Sequence, residues 1–521
     1  MTMSSGWRKQ SKQSKRTGNW NGLKTACAVF VLWTAVGSSA GSTTSFTDLM
    51  KFAPTNGANP YSALVQGTDG NFYGTTAKDG AYGDYGTVFK VTTEGKRTTL
   101  YSFCSEAGCP DGYSPVTGLT QGTDGNFYGT TQLGGTKNGG TVYQITPEGK
   151  LTALYKFCSE TKCADGSEPY GPLVQIESGD FYGTTYEGGT HSAGTVFKLT
   201  PEGKLTTLHT FCSLSNCKDG ASPTHGLVLG TDGNFYGTTD EGGTHSGGTV
   251  FRITPNGALT TIHSFCAKTN CADGSYPYAG LVQGTDGSLY GTTTFGGSHG
   301  VGSVFTMTLQ GEFTILYNFC LKTDCADGQE PYAGLIEGSD GNFYGATAEG
   351  GNGTKAGVKP FFTPENESGT YGTVFRITPK GVLTTLYNFC SKSECADGSF
   401  PYGELVQGTD GNFYGTTSLG GDVSCTEGCG TVYRIADSLG PLVVTRPSSG
   451  DVGGEVLILG SNLTGATSVT FDGTAAEFTV VSESEIKTKV PTGATTGKVE
   501  VKTPDHALVS NTVFRITAST P

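Results

Sequence analysis

A ten-residue segment, GTDGNFYGTT, constrains the fold of this 521-residue chain because it recurs along most of the sequence. It begins at Gly67 and returns nearly intact at Gly122, Gly230 and Gly408, with altered copies between them. The tyrosines of the seven copies are Tyr73, Tyr128, Tyr182, Tyr236, Tyr290, Tyr344 and Tyr414. Five of the six steps are 54 or 55 residues and the last is 70. A fixed period of this size indicates an array of equivalent supersecondary units.

One unit of the array contains four strand signals. Residues 119–121 and 127–131 flank an Asp-Gly turn, a strong hairpin signal because such turns need positive φ. A glycine-rich connection leads to residues 141–146, which alternate with period two, and a PEGK turn leads to residues 151–157. Four antiparallel strands in about 54 residues are the content of a propeller blade.

The ends of the array indicate a closed ring. A lone fourth-strand segment, residues 46–52, precedes the first copy, and the last unit ends after its third strand at residues 431–435. The N-terminal segment can therefore complete the last blade and pair edges that an open array would expose. We predict an all-β chain, with a seven-bladed β-propeller over residues 41–440 closed by its N-terminal strand.

The first 40 residues have the three-part pattern of a secretory signal peptide. Residues 1–24 hold six basic and no acidic side chains, residues 25–36 are apolar, and small residues at positions 38 and 40 permit cleavage after Ala40. The apolar segment is too short for an ordinary spanning helix, so we expect a secreted or cell-surface protein with no membrane span after cleavage. An uncleaved anchor is the alternative.

The body that follows is strongly acidic. The net charge of −13 becomes −19 once the six basic residues of the N-terminal segment are set aside. Binding to nucleic acid depends on neutralising phosphates with basic side chains, so this charge argues against nucleic acid as a partner.

Fourteen of the 15 cysteines fall into pairs, and the other, Cys27, lies in the signal segment. In an exported chain an even number indicates disulfides, each worth about 2 kcal/mol in the loop-entropy model. We expect these bridges to be structural and to pin loops, with the inter-blade loops holding most of them. Metal thiolates are the alternative. The predicted pairs are Cys104/Cys109, Cys158/Cys163, Cys212/Cys217, Cys266/Cys271, Cys320/Cys325, Cys390/Cys395 and Cys425/Cys429.

Blade topology divides the loops between two faces of the predicted propeller. The first-to-second and third-to-fourth turns are short and share one face, the short-turn face. The second-to-third loops and the blade-to-blade connections share the other, the long-loop face, and function tends to lie on loops of this kind.

Ligand-binding residues are predicted on the long-loop face. Tyrosines around a channel mouth can stack on sugar rings or peptide side chains while their hydroxyls hydrogen-bond. The alternative is that each tyrosine packs beneath the neighbouring disulfide loop. The candidates, which lie three residues before the first-strand leucine or close to that position, are Tyr61, Tyr170, Tyr278, Tyr332, Tyr402 and His225.

Blade six carries an insertion, residues 350–371, that accounts for the longer last step. Its adjacent Phe361 and Phe362 are predicted to form a lid or a partner contact on the long-loop face. A self-packed insertion is the alternative.

Two sets of residues raise the question of a metal. One aspartate follows each repeat cysteine pair and could help to hold Ca²⁺, whereas an Asx-turn is the simpler explanation. His191, His245 and His299 occupy the same loop of three successive blades and are either a metal set or exposed solvated side chains. The sequence predicts no cofactor, with Ca²⁺ left open. The aspartates are Asp111, Asp165, Asp219, Asp273, Asp327 and Asp397.

The alternation changes after residue 440, and residues 441–521 are predicted to form a small antiparallel sandwich. The order PSSGDVGGEVLILGSNL, VTFDG, SESEIKTKVP, GKVEVKTP and VFRIT resembles the IPT/TIG immunoglobulin-like family. That resemblance implies a spacer or a protein-contact module.

The repeats also resemble a known family. The recurring GGT, GTVF, LxxLYxF, DGxxPYxxL and GxDGNFYGTT elements are similar to the GloVer tandem-repeat family of exported bacterial proteins, over residues 46–436. The resemblance implies export and surface location, and it brings no activity with it.

The sequence favours a binding or scaffold protein over an enzyme. No nucleophile elbow, HExxH motif or phosphate loop occurs where its structural context would allow, and no catalytic residue is predicted. We expect a polysaccharide or a surface protein as the ligand, on the long-loop face. The alternative is a glycoside hydrolase or polysaccharide lyase at the channel mouth, which would need carboxylates or histidines to converge there.

Overall fold

The structure, a computed structural model, describes residues 44–352, 371–422, 424–425 and 428–517. The predicted signal peptide and the pair Phe361 and Phe362 lie outside the described residues. The repeat region of the described part contains seven four-stranded antiparallel sheets, called blades below. Six are each built from one repeat, and the seventh also uses the N-terminal strand. The expected all-β fold of repeated propeller-type sheets followed by an immunoglobulin-like module is confirmed.

Blades one to six each run through four strands in chain order. In blades one to three the strands are Val65–Gln66, Phe72–Thr76, Thr87–Val91 and Arg97–Ser102; Thr120–Gln121, Phe127–Thr131, Thr141–Ile145 and Leu151–Lys156; Val174–Gln175, Phe181–Thr185, Thr195–Leu199 and Leu205–Thr210. In blades four to six they are Val228–Leu229, Phe235–Thr239, Thr249–Ile253 and Leu259–Ser264; Val282–Gln283, Leu289–Thr293, Ser303–Met307 and Phe313–Asn318; Ile336–Glu337, Phe343–Thr347, Thr373–Ile377 and Leu383–Asn388. Single 3₁₀ turns lie at Pro54–Asn56, Thr161–Cys163, Ser215–Cys217, Thr269–Cys271, Thr323–Cys325 and Ser393–Cys395.

The last blade takes three strands from the C-terminal end of the repeat region and one from the N-terminal end. Val406–Gln407, Phe413–Thr417 and Thr431–Ala436 form its first three strands, and Ser45–Lys51 forms the fourth. The N-terminal strand pairs antiparallel with the third, with Phe46 opposite Ile435. The predicted closure by the N-terminal strand is therefore what the strand pairing shows.

Each blade packs on the next through the tyrosine of its repeat segment. Tyr73 stacks on Phe127 of the following blade with ring centroids 4.0 Å apart. The contact recurs around the array, and Tyr414 of the last blade packs on Phe72 of the first, also at 4.0 Å. Because the contact returns to its starting blade, the ring closes on a continuous packed core rather than on strand pairing alone. This core is aromatic except where Tyr236 packs with Leu289.

The residues of GTDGNFYGTT have separate structural tasks. Asp69 accepts hydrogen bonds from the Tyr73 hydroxyl (2.8 Å) and from the backbone and side-chain nitrogens of Asn71, which fixes the turn. Gly74 lies beneath the ring of Phe89, which a Cβ there would meet at 2.7 Å. The turn, the tyrosine and the glycine therefore specify one local packing arrangement, which explains why they recur together.

All seven predicted disulfides are present, so the fourteen paired cysteines are not metal thiolates. Each bond joins two cysteines that are four or five positions apart in the chain. The bonds join Cys104 to Cys109, Cys158 to Cys163, Cys212 to Cys217, Cys266 to Cys271, Cys320 to Cys325, Cys390 to Cys395 and Cys425 to Cys429.

Cys109 and Cys429 are buried, although both belong to loops. Cys109 is 8% exposed and Cys429 is 0% exposed. The carbonyl of Cys109 accepts from the backbone nitrogens of Gly112 and Gly135, which places it under the following blade's second-to-third loop. Cys429 packs in the core cluster that contains Phe52. Both cysteines are therefore part of the packed interior, and neither offers a surface to a ligand or a metal ion.

The same burial extends to other members of the set. Cys158, Cys390 and Cys395 are 4%, 0% and 0% exposed, and the last two pack in a core cluster with Phe400. Loops normally lie on the surface because their backbone polar groups need partners. These loops can turn inward at a cysteine because their backbone polar groups are hydrogen-bonded within the protein. The Cys390 nitrogen, for example, donates to the Gly398 carbonyl at 3.1 Å.

The aspartates after the cysteine pairs hold the same loops. Asp165 is fully buried and accepts from the Tyr155 hydroxyl (2.8 Å) and from the backbone nitrogens of Ser159 and Glu160. Such a carboxylate has its acceptor positions filled by protein donors, as expected for a loop-organising residue. In the described part of the chain, no group of three or more His, Cys, Asp or Glu side chains is arranged to hold a metal ion.

The C-terminal module is a sandwich of two four-stranded sheets with a short parallel pair at one end. Val456, Ile458, Phe471 and Ile486 are buried in its core. Its strands are Val444–Arg446, Ser449–Gly450, Glu455–Leu459, Ser468–Phe471, Thr474–Ala476, Phe478–Val480, Glu485–Lys489, Val499–Lys502, Ala507–Val509 and Arg515–Ile516.

The module packs against the short-turn face and is not held away from the propeller as a spacer would be. Arg446 Nη2 donates to the carbonyl of Gln66 at 2.9 Å, and Arg515 Nη1 donates to that of Gly230 at 2.8 Å. Further bonds join Ser484 to Thr68, Asp451 to Glu177, and Leu442 and Ser461 to Thr409. These residues belong to the first strands and first turns of blades one, three, four and seven, so the module lies over the short-turn end of the channel. Among the described residues, no helix has the length and apolar character needed to span a bilayer.

Candidate functional site

Four of the five predicted tyrosines form a row around the opposite end of the channel. Tyr61 contacts Tyr402, Tyr402 contacts Tyr332, and Tyr332 contacts Tyr278, with ring centroids 5.7, 5.2 and 5.3 Å apart. The fifth, Tyr170, packs on Tyr186 at 5.5 Å. All five are half-buried. The structure brings these tyrosines together on the long-loop face, and we call the five the tyrosine mouth.

The rings of the row are not parallel. Successive planes are inclined by 53°, 71° and 37°. Burial raises the pKa of Tyr170 to about 12, and it also raises the pKa values of Tyr278, Tyr332 and Tyr402 above their usual range. The hydroxyls therefore stay protonated at physiological pH and can donate as well as accept hydrogen bonds.

Inside this mouth, two ionisable side chains meet. His225 of blade four and Glu404 of blade seven approach to 3.2 Å between Nε2 and Oε1. Their side chains reach each other over glycines of the two blades between them, since a Cβ at Gly280 would meet the His225 ring and one at Gly334 would meet the Glu404 carboxylate. Glycine at these two positions makes room for the pair.

The repeat positions that hold His225 and Glu404 carry small residues in the other blades. The residue before the first-strand leucine is Glu404 in blade seven and Ala, Gly or Pro elsewhere: Ala63, Gly118, Pro172, Gly226, Gly280 and Gly334. The residue before that is His225 in blade four and small elsewhere: Ser62, Thr117, Gly171, Ala279, Ala333 and Gly403. The two exceptions to the repeat pattern are the two residues that meet.

Asp240 is a third departure on the same face. It follows the Gly-Thr-Thr of blade four, is 3% exposed, and its Oδ1 has no hydrogen-bond partner among the described residues. Burial, together with the charge of Glu241, raises the pKa of Asp240 to about 7, and a hydrogen bond with Tyr278 partly offsets this. Asp240 therefore adds a buried carboxyl group with an open acceptor beside the tyrosine mouth.

Thr224 and the three loop histidines are not part of this cluster. Thr224, which replaces the tyrosine in blade four, donates to the backbone carbonyl of Tyr278 at 3.0 Å. His191, His245 and His299 are exposed, and each makes a hydrogen bond with the hydroxyl of the residue before it. This is the arrangement of separate solvated histidines.

The short-turn face carries departures of its own. In five blades the first strand ends in glutamine, whose side chain joins the turn of the neighbouring blade; Gln66 Oε1, for example, accepts from the Thr409 nitrogen at 2.9 Å. Blades four and six have Leu229 and Glu337 instead. Both line a cavity of about 440 Å³ between the propeller and the module, with Arg515 on the module side. A larger recess of about 690 Å³ lies on the module's own sheet.

Sequence reasoning selected the tyrosines and His225 but missed Glu404 and Asp240. The signal for both was present, because each is the one acidic residue in its column when the seven repeats are compared position by position. The partner of His225 could not be identified this way, since the column alone does not show which blades face each other.

Comparison with known proteins agrees with the repeat and module assignments. Residues 25–218 and 213–366 match the Gloeobacter/Verrucomicrobia repeat family, and residues 443–516 match the IPT/TIG domain. A search of curated proteins found no match.

Several solved structures share a coarse likeness. One is described as the extracellular domain of a hybrid two component system from B. thetaiotaomicron, with 12% identity, 89% of this chain and 54% of that chain covered, and a TM-score of 0.47. This chain thus spans about half the length of that structure. A protein of unknown function from Bacteroides thetaiotaomicron is 13% identical, with 75% of this chain and 76% of that chain covered and a TM-score of 0.40. The PQQ-bound aldose sugar dehydrogenase of Streptomyces coelicolor is 12% identical, with 76% of this chain and 98% of that chain covered and a TM-score of 0.35.

Likenesses of this size say nothing about what the chain binds. The family match, in contrast, covers well over half of the sequence and coincides with the repeats that build the blades. This chain belongs to the Gloeobacter/Verrucomicrobia repeat family and carries a C-terminal TIG domain.

Proposed function

We propose that this chain is an exported binding protein, secreted or held at the cell surface, whose tyrosine mouth binds a polysaccharide. Residues 1–40 would direct export, residues 41–440 would bind the ligand, and residues 441–521 would cover the short-turn end of the channel. Seven disulfides indicate an oxidising, extracellular environment. The repeats and the TIG domain support a surface or binding role.

The observation that carries the proposal is the row Tyr61, Tyr402, Tyr332 and Tyr278. Four half-buried rings on successive blades offer inclined apolar faces together with protonated hydroxyls. Sugar rings present the complementary combination, with apolar C–H faces for stacking and hydroxyls at the edge for hydrogen bonds. The rings lie just before the first strands of their blades and are already half-buried, so little ordering is needed on binding.

A glycan array and polysaccharide pull-down with the oxidised full chain would test this, using Tyr278→Ala/Tyr332→Ala as the disabled variant. Tyr82→Ala is the matched control, because Tyr82 is 55% exposed on a long loop and lies outside the mouth. We expect binding that the double substitution abolishes and the control retains. Binding that survives the double substitution would move the site elsewhere, and capture of a surface protein instead of any glycan would replace the ligand class.

A carbohydrate-active enzyme is the second candidate, favoured by the meeting of His225 and Glu404 inside the mouth. Imidazole and carboxylate groups are the usual proton-transfer groups of such enzymes. Product analysis decides between the two functions. Shortened chains that disappear with Glu404→Gln would indicate a hydrolase, or a lyase if the new ends are unsaturated, whereas an unchanged polysaccharide would leave the chain a binding protein.

A further inference from the structure

Apart from His225, which contacts Glu404, the ionisable groups that act on the tyrosine mouth are carboxylates and neighbouring tyrosines. Glu168 lies near Tyr170, and Asp240 and Glu241 lie near Tyr278. Glu330 and Glu349 act on both Tyr332 and Tyr402. Each of these carboxylates raises the pKa of its tyrosine further, after burial, which is the effect of a negative potential.

Aromatic faces and carboxylates together attract cations. The face of a tyrosine ring carries the negative end of its quadrupole, and a cation held within about 6 Å of the ring centre is stabilised by it. Because neighbouring rings of the row are inclined by 53°, 71° and 37°, their faces are not used up by stacking on each other. The same surroundings repel anionic ligands such as uronic-acid polymers.

Asp240 adds an independent observation. Its carboxyl group is almost fully buried, yet Oδ1 has no hydrogen-bond partner among the described residues. A buried acceptor without a partner is costly unless something supplies a donor or a positive charge. The position is Ala, Gln, Tyr, Thr, Ala or Ser in the other blades, so this carboxyl is peculiar to the sector that contains Tyr278.

Resting on the proposed function, we propose that the ligand is a cationic amino-sugar polysaccharide, whose free ammonium groups contact the tyrosine faces and carboxylates of the mouth. A lysine side chain would satisfy one ring and one carboxylate. The row, however, runs across blades one, seven, six and five, which is longer than a single cation needs and suits successive sugar rings. The module covers the far end of the channel, so the chain lies along the row and does not thread the propeller.

The test compares three oligosaccharides of equal length on the oxidised full chain by calorimetry. They are oligomers of glucosamine, of N-acetylglucosamine and of N,N,N-trimethylglucosamine. We expect glucosamine oligomers to bind at least about tenfold more tightly than the acetylated ones, with an advantage that shrinks as salt is added. The trimethylated oligomers should keep the advantage, because attraction to ring faces needs charge and no N–H donor.

Variants distinguish the effect of the carboxylates in the mouth from the effect of the protein's total charge. Asp240→Asn and Glu241→Gln each remove one carboxyl group from the mouth. Glu241 is exposed, so its variant folds even if the buried one does not. We expect each to reduce the preference for the glucosamine oligomer over the acetylated oligomer several-fold. Glu202→Gln, an exposed change on the short-turn face, is the charge-matched control and should change nothing.

The outcomes distinguish this inference from the function on which it rests. Equal or tighter binding of the acetylated oligomer would overturn the cationic ligand while leaving a polysaccharide-binding mouth in place. Binding of a lysine-rich peptide in preference to all three oligomers would overturn the amino-sugar assignment. Failure of every oligosaccharide, here and on the glycan array, would overturn both.

Discussion

The two faces of the propeller are built from the same repeat, yet they depart from it in different ways. On the short-turn face the exceptions, Leu229 and Glu337, lie where the module packs. On the long-loop face the exceptions, His225 and Glu404, meet each other inside the tyrosine mouth. In an array this regular, the residues that the repeats share build the blades, and the exceptions mark contacts. On the short-turn face the contact is with the module, and on the long-loop face it is with solvent or a ligand.

The largest expected effect comes from separating the module. Arg446→Ala/Arg515→Ala removes two charged donors to backbone carbonyls of the propeller, each worth about 1.5–3 kcal/mol. Calorimetry should then show the module unfolding separately at a lower temperature. Arg252→Ala, on the same face beside Tyr236, is the control and should keep one transition. Glycan binding at the tyrosine mouth should survive; its loss would show that the two faces are coupled.

Removing one disulfide should cost less. Cys390→Ala/Cys395→Ala opens a small loop shortly before Tyr402, with a loss of about 2 kcal/mol in unfolding free energy. Because this loop leads into the mouth, we expect weaker glycan binding as well. Cys104→Ala/Cys109→Ala is the matched control, since its blade has Val116 in place of the tyrosine. The control should lose stability alone, and equal binding losses in both variants would contradict a local role.

A single methyl group tests the meeting of His225 and Glu404. In Gly334→Ala the new Cβ would displace the Glu404 carboxylate, whereas in Gly118→Ala, the same column of blade two, it meets only Ala63 at an ordinary 3.5 Å. We expect the first variant to weaken glycan binding about tenfold, or ~1.4 kcal/mol, and the second to have no effect. Titration of both variants with the ligand found on the array measures this. Equal affinities would mean that the pair does not touch the ligand.

The smallest effect concerns a departure that lies on neither face. His209 and His263 replace the fourth-strand tyrosine in blades three and four, and burial lowers the pKa of both imidazoles despite the nearby Asp219 and Asp273. The folded state therefore favours the neutral ring, while the unfolded chain takes up a proton below about pH 6.5. Stability from these positions is present above that pH and is lost as the pH falls.

Denaturant unfolding at several pH values checks this. His209→Tyr/His263→Tyr should lose less stability on acidification than the parent, because tyrosine does not titrate in that range. The exposed pair His191→Tyr/His245→Tyr is the control and should follow the parent. Identical pH profiles for the parent and the first variant would show that the buried imidazoles are not the groups that respond.

Much of the fold followed from periodicity, and part of the site did not. The strand positions, the completion of the last blade by residues 45–51, the disulfides and the grouping of the tyrosines are local or periodic consequences of the repeat. Glu404 and Asp240 were visible only as exceptions in aligned columns. The packing of Arg446 and Arg515 on the propeller had no sequence signal, because it depends on how two separately folded surfaces match.

The burial of Cys109 and Cys429 was also beyond sequence reasoning. Spacing predicts which cysteines pair, since two residues a few positions apart can bond whatever surrounds them. Whether a cysteine then faces solvent depends on what the neighbouring blade lays over it, and that is a contact between repeats.

The pairing of Ser45–Lys51 with Thr431–Ala436 has a consequence for how the chain reaches its final state. The strand synthesised first is placed last, since its partner is made almost 400 residues later. Until these two strands pair, the backbone groups along their facing edges have no partner and can pair with another chain. Ring closure is therefore the slow step of maturation, during which the chain is exposed to aggregation. A free peptide with the sequence of residues 45–51 should bind chains that lack this strand.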